Sequence, residues 1–194
     1  MDIIDTLPIK NAVIYATHLP QAMSVEDTQF LYARVLHFNI DGGPVSLPFE
    51  KHLARENGWS MEYAQRVVIE YKRFVFLMVC AGHPVMPSDQ VDQAWRLHLT
   101  YTHSYWDRLC RQVVGRALHH DPTHGGVVEG RKFAGWYRRT LESYQRMFAQ
   151  APPSDIWPEP SIRFGEDLFF QRINMRRMGV LKRLRTAFPR LFPK

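Results

Sequence analysis

Between Ser88 and Gly126 the chain reads SDQVDQAWRLHLTYTHSYWDRLCRQVVGRALHHDPTHGG. Five of its nine histidines fall here, His98, His103, His119, His120 and His124, with two of five tryptophans and one of two cysteines. Neutral imidazoles ligate divalent metals or move protons near neutral pH. A carboxylate such as Asp92 can share a metal with them, and Cys110 is a soft ligand or a nucleophile when it ionises. The chemistry this stretch offers is therefore metal binding or acid–base work. Its tyrosines and tryptophans would form the walls.

Spacing limits that offer. In Asp92-x-x-Trp95-x-x-His98 a helix sets the carboxylate and the imidazole about 240° apart around its axis, so those two do not converge alone. His119, His120 or His124 would have to fold back over the helix to close a site for zinc, iron or copper. His119 and His120 are adjacent, so their side chains point apart. Arg96 stands four residues after Asp92, suited to an ion pair, and an arginine does not ligate. The plainer alternative for His98 is a core histidine bonded to a carbonyl or a tyrosine. For the loop it is solvated imidazoles on a turn, and for Trp95, Trp106 and Trp136 it is core packing. Cys110 and Cys80 read as buried fillers. No glycine-rich nucleotide loop, Walker loop, CxxC or GxSxG is present, so no reaction is named by motif.

The strings VDQAWRLHLTYTHSYWDRLC and GRALHHDPTHGG, followed by KF, WYRRTLESYQRMF and PPSDIWP, resemble a bacterial branch of the glycine-rich domain-containing protein-like family. HLARENGWS and YKRFVFL fit the same pattern, and the resemblance spans roughly residues 48–165. Its mark is Asp-x-x-Trp-His-x-His followed by a tyrosine and a cysteine. Asp92, Trp95, His98, Tyr105 and Cys110 match it, and Arg96 takes the place of the first histidine. The resemblance implies an all-helical domain and little about function; the residues themselves make Asp92, Trp95, Arg96, His98, Tyr105 and Cys110 the candidate binding set. The resemblance also implies a membrane-spanning neighbour segment in some bacterial relatives.

The elements that must position these groups are helices. Ser24 with Asp27 resembles a capping box opening a helix over 25–38. Asp41-Gly42-Gly43-Pro44 breaks the chain, and Pro48–Asn57 forms a short helix ended by Gly58. Ser60 opens the longest apolar helix, 60–81, whose Ala64, Val67, Val68, Tyr71, Phe74, Val75 and Met78 repeat at three and four. It is expected at the centre. Further helices are predicted over 89–101, over 105–114 with Ser104 and Asp107 at its start, and over 128–150. Ala151–Pro160, with four prolines, is expected to be an extended strap anchored by Trp157.

The charge of +6 is unevenly placed. Residues 161–194 hold nine Lys/Arg and two acids, a balance of +7, whereas residues 1–160 balance at −1. From Arg176 on, the tail is basic and amphipathic, with Arg176, Arg177, Lys182, Arg183, Arg185 and Arg190 among apolar residues at three and four. It suits an anionic membrane surface or a protein partner. Packing on its own body is the plain alternative, and nucleic acid the least expected partner. Two cysteines thirty positions apart give no disulfide framework. No signal peptide pattern and no apolar run of spanning length are seen. A cytoplasmic protein, peripheral to the inner membrane through its tail, is expected.

These readings combine into one all-α domain of six or seven helices at 24–160. A lead-in occupies 1–23 and a basic extension 161–194. The favoured function is a helical interaction module held at a membrane or protein partner by its tail. The alternative is a metal-binding domain or metal-dependent enzyme using His98, Asp92 and the histidines at 119–124.

Overall fold

Three of the helices begin at a serine whose hydroxyl replaces a missing backbone partner. Ser24 accepts from the Asp27 amide at 3.0 Å and the Asp27 carboxylate accepts from the Ser24 amide, a full capping box. Ser60 accepts from Tyr63 N at 3.1 Å and Ser88 from Val91 N at 3.2 Å. A computed structural model describes residues 23–120 and 127–165, the side chains of 127–129 excepted. Among them the helices are α1 (Val25–Leu36), α2 (Phe49–Asn57), α3 (Met61–Cys80), α4 (Asp89–Thr100), a π-helix here termed π1 (His103–Val114), α5 (Val127–Phe148) and α6 (Pro160–Arg163). The described residues contain no strand, so the architecture is all-helical. The tail cations Arg176, Arg177, Lys182, Arg183, Arg185 and Arg190, together with His124, lie outside the described residues.

α3 occupies the centre, and α1, α2 and α4 all pack against it. Its stripe of Ala64, Val67, Val68, Tyr71, Phe74 and Val75 is buried. Phe76, Leu77 and Val79 are buried too, so its C-terminal half is covered on most sides. Gly58 ends α2 at φ +71, in the left-handed region where a Cβ is strained. The start of α2 has no side-chain cap of its own. Asp41, from the glycine break, accepts from Phe49 N at 3.1 Å instead.

The segment after α4 departs from expectation. Ser104 does not cap a helix starting at 105. The helix starts at His103 and is wound as a π-helix of twelve residues. The reason is in which residues must face inward. Ser104, Tyr105, Leu109 and Cys110 are buried, two adjacent pairs separated by five, which fits the wider turn of a π-helix and not 3.6 residues. Each inward pair has fixed partners. The Ser104 hydroxyl donates to Ile40 O at 2.6 Å and the Tyr105 hydroxyl to Leu118 O at 2.5 Å.

The proline segment is less extended than its composition suggests. Ile156 N and Trp157 N both return to Pro153 O, at 3.0 and 2.8 Å. This tight turn drives Ile156 and Trp157 into the core. The Trp157 indole donates to Glu70 Oε2 at 2.9 Å. Glu70, buried in the middle of α3, also meets Arg73 at 2.8 Å and the Tyr144 hydroxyl at 3.2 Å. One buried carboxylate thus ties the strap and α5 to the central helix.

A closed histidine relay and an aspartate–histidine contact

α4 presents its motif on two faces. Trp95 and His98 point inward and Arg96 outward, while Asp92 sits at the boundary, 8% exposed. The angular separation of Asp92 and His98 is realised, and the two side chains have different partners.

His98 is fully buried. Its Nδ1 lies 2.8 Å from the Tyr71 hydroxyl and its Nε2 3.1 Å from Ser104 Oγ. Because the Ser104 hydroxyl hydrogen goes to Ile40 O, Ser104 can only accept from His98. Nε2 therefore carries the hydrogen, and Nδ1 accepts from Tyr71. The result is a one-way chain, Tyr71 to His98 to Ser104 to Ile40 O, with no group charged. Rings of Phe38, Phe49, Tyr71 and Tyr105 surround the imidazole at 5.3–6.0 Å. Burial, with Arg108 and Lys72 nearby, lowers its pKa from 6.5 to about 3.

Tyr105 is the second hub. It accepts from the Trp95 indole at 2.8 Å while donating to Leu118 O. Burial pushes its pKa up, and the Cys110 thiol beside it is raised for the same reason. Cys80, also buried, is pushed up to about 12. Neither sulfur has the electropositive, open setting of a reactive thiolate.

The loop after π1 does fold back over α4. His120 Nε2 lies 2.7 Å from Asp92 Oδ1, and the other carboxylate oxygen takes Arg96 Nε at 2.7 Å. The His120 ring stands edge-on to Trp95, centroids 4.5 Å apart. Its neighbour His119 points elsewhere, to the exposed Trp106 at 5.7 Å. Asp92, Trp95 and His120 thus meet, Arg96 joins them through its guanidinium, and His98 lies deeper with both nitrogens engaged. Among the described residues no three His, Cys, Asp or Glu groups are placed to hold one metal ion.

Two other polar clusters went unread in the sequence. Glu70 with Arg73 is one. The signal was a carboxylate three residues from Val67 and four from Phe74, inside the apolar stripe, with an arginine three further on. The other joins the turn after α3 to α5. His83 Nε2 meets Ser143 Oγ at 2.7 Å, and Met86 N donates to Thr140 Oγ1 at 2.9 Å. No local pattern announces that pairing, since its partners are about sixty positions apart.

The family model described as UCP032817-like matches residues 46–139, 94 of the chain's 194 residues. The chain is similar to that family from α2 through the first half of α5, the part that contains Tyr71, His98 and Ser104 of the relay, though not Ile40, and the Asp92–His120 contact. No curated protein and no solved structure matches it. No helix of the described residues is long and apolar enough to cross a membrane.

Proposed function

We propose that the chain is a helical interaction module, held at an anionic membrane surface by its basic C-terminal segment. One observation carries the reading of the body. The inward polar groups of the motif, at Trp95, His98, Ser104 and Tyr105, are bonded to one another, to the Tyr71 hydroxyl or to the backbone. Such a network fixes the shape of a body and holds its outward members in place. Those members are Arg96, with 62% of its side chain exposed, and Trp106 with His119. They form the surface offered to a protein partner. The +7 balance of residues 161–194 supplies the attraction to anionic lipid.

The test uses the full chain and vesicles of phosphatidylcholine with and without phosphatidylserine. Binding that requires phosphatidylserine, and falls when Arg176, Arg177, Lys182, Arg183, Arg185 and Arg190 are all changed to Gln, is the expected outcome. Equal binding by the two proteins would remove the tail from the account.

The Asp92–His120 contact supports a second reading, a metal-binding body in which these two side chains are ligands. Elemental analysis of protein purified without an affinity tag decides it. Stoichiometric zinc, iron or copper that vanishes in His120→Ala would establish that reading at the expense of the first.

A further inference from the structure

The N-terminal half of α5 carries a cationic face that the sequence pattern of the tail does not announce. Arg131, Lys132, Arg138 and Arg139 are all exposed, and no acid occurs from 131 to 141. At 3.6 residues per turn these four side chains fall within about 120° of arc. The buried residues Tyr137, Thr140 and Tyr144 lie opposite. At the rim, Trp136 is only half-buried; Phe133, also half-buried but on the side of Tyr137 and Thr140, stands 5.5 Å from it, edge to face. Lys132 Nζ sits over both rings, 4.3 Å from Trp136 and 5.7 Å from Phe133. A tryptophan at the edge of a cationic arc is the combination that seats a helix at the headgroup level of a bilayer, ring toward the acyl boundary and cations among phosphates.

The position of this face matters as much as its charge. Tyr137 packs against Phe164 at 5.7 Å and donates to Pro158 O at 2.7 Å. Phe164, next to the end of the described chain, therefore lies against the covered side of α5, opposite the cations.

We infer that the Arg131–Arg139 face of α5 is a docking surface for anionic phospholipid bilayers. This rests on the surface-bound reading of the chain and adds a second contact to it. Two contacts on one body bind more tightly than either alone and fix its orientation, since the second engages at high effective concentration.

The experiment compares three full-length proteins by vesicle co-sedimentation: wild type, the tail with its six named cations changed to Gln, and α5 with Arg131, Lys132, Arg138 and Arg139 changed to Gln. Helical circular dichroism accompanies each, and the α5 substitutions are all at exposed positions. The α5 variant should lose binding to phosphatidylserine vesicles at least about tenfold with its tail intact, as four lost surface cations require. Its circular dichroism should be unchanged. If it loses helical signal, Trp136→Ser in the wild-type background replaces it, with the same loss expected. Wild-type affinity in the α5 variant, with binding lost in the tail variant, would overturn this inference and leave the tail reading standing. Failure of all three proteins to bind would overturn both. Tighter binding of a single-stranded oligonucleotide than of vesicles at the same salt, abolished by the α5 changes, would assign the face to nucleic acid and overturn it as well.

Discussion

His98 holds its hydrogen on Nε2 because Ser104 has no hydrogen left to give, and it stays neutral because nothing around it compensates a charge. Replacing it with Ala opens a cavity and leaves the Tyr71 hydroxyl without an acceptor. A loss of about 2–4 kcal/mol in denaturant unfolding is expected. The sign of the pH effect follows from the lowered pKa. The unfolded chain takes up this proton below about 6.5, whereas the folded chain resists it down to about 3. The stability His98 contributes is whole above pH 6.5 and is lost as pH falls toward 3, by at most about 1.4 kcal/mol per unit. Wild type and His98→Gln should therefore differ most near pH 7.5 and converge by pH 4. Convergence in the opposite direction would mean the imidazole is charged in the fold. At this scale the sequence was informative about angles and silent about partners. The separation of Asp92 from His98 follows from helical pitch alone. That Tyr71 and Ser104 would claim the ring depends on packing between α3, α4 and π1, which no local pattern contains.

Among the elements, the strap offers the sharpest test. Trp157 joins a hydrogen bond to Glu70 with ring contacts to Phe74, Tyr137 and Tyr144. Trp157→Phe keeps most of the contact and removes the donor, so Glu70 keeps Arg73 and Tyr144 but loses one bond. Urea unfolding should report a cost of about 1–3 kcal/mol, rising to about 3–5 for Trp157→Ala. If both cost the same, the carboxylate link is not what holds the strap. Gly58 is a simpler case. Open space surrounds it, so Gly58→Ala isolates the backbone strain at φ +71 and should cost about 1 kcal/mol, read as a lowered unfolding midpoint. Caps and apolar stripes made most elements legible: Ser24, Ser60 and Ser88 start helices where expected, and the ends differ by one or two residues. π1 was not legible as such. Its inward pairs at 104/105 and 109/110 are spaced for a wide turn, but that spacing has meaning only once their partners at Ile40 and Leu118 are known.

For the whole molecule, the picture is a near-neutral body closed around a neutral relay, with cations gathered on α5 and on the C-terminal segment. The histidines at 98, 119, 120 and 124 were expected to share one polar pocket, of which His124 lies outside the described residues. Instead His120 meets Asp92 at the boundary while His98 lies deeper, because both of its nitrogens find partners on α3 and π1. The charge split between body and tail was readable by counting; the basic face of α5 needed the fold to show which side of that helix is covered. The claim on which the rest depends is that the motif histidine is a structural group, closed to protons and metals. Long-range proton–nitrogen NMR of the full chain tests it directly. His98 should show a hydrogen on Nε2, with no titration between pH 8 and 5 and no change on adding zinc. A His98 resonance that titrates near 6.5, or shifts with one equivalent of zinc, would contradict the account.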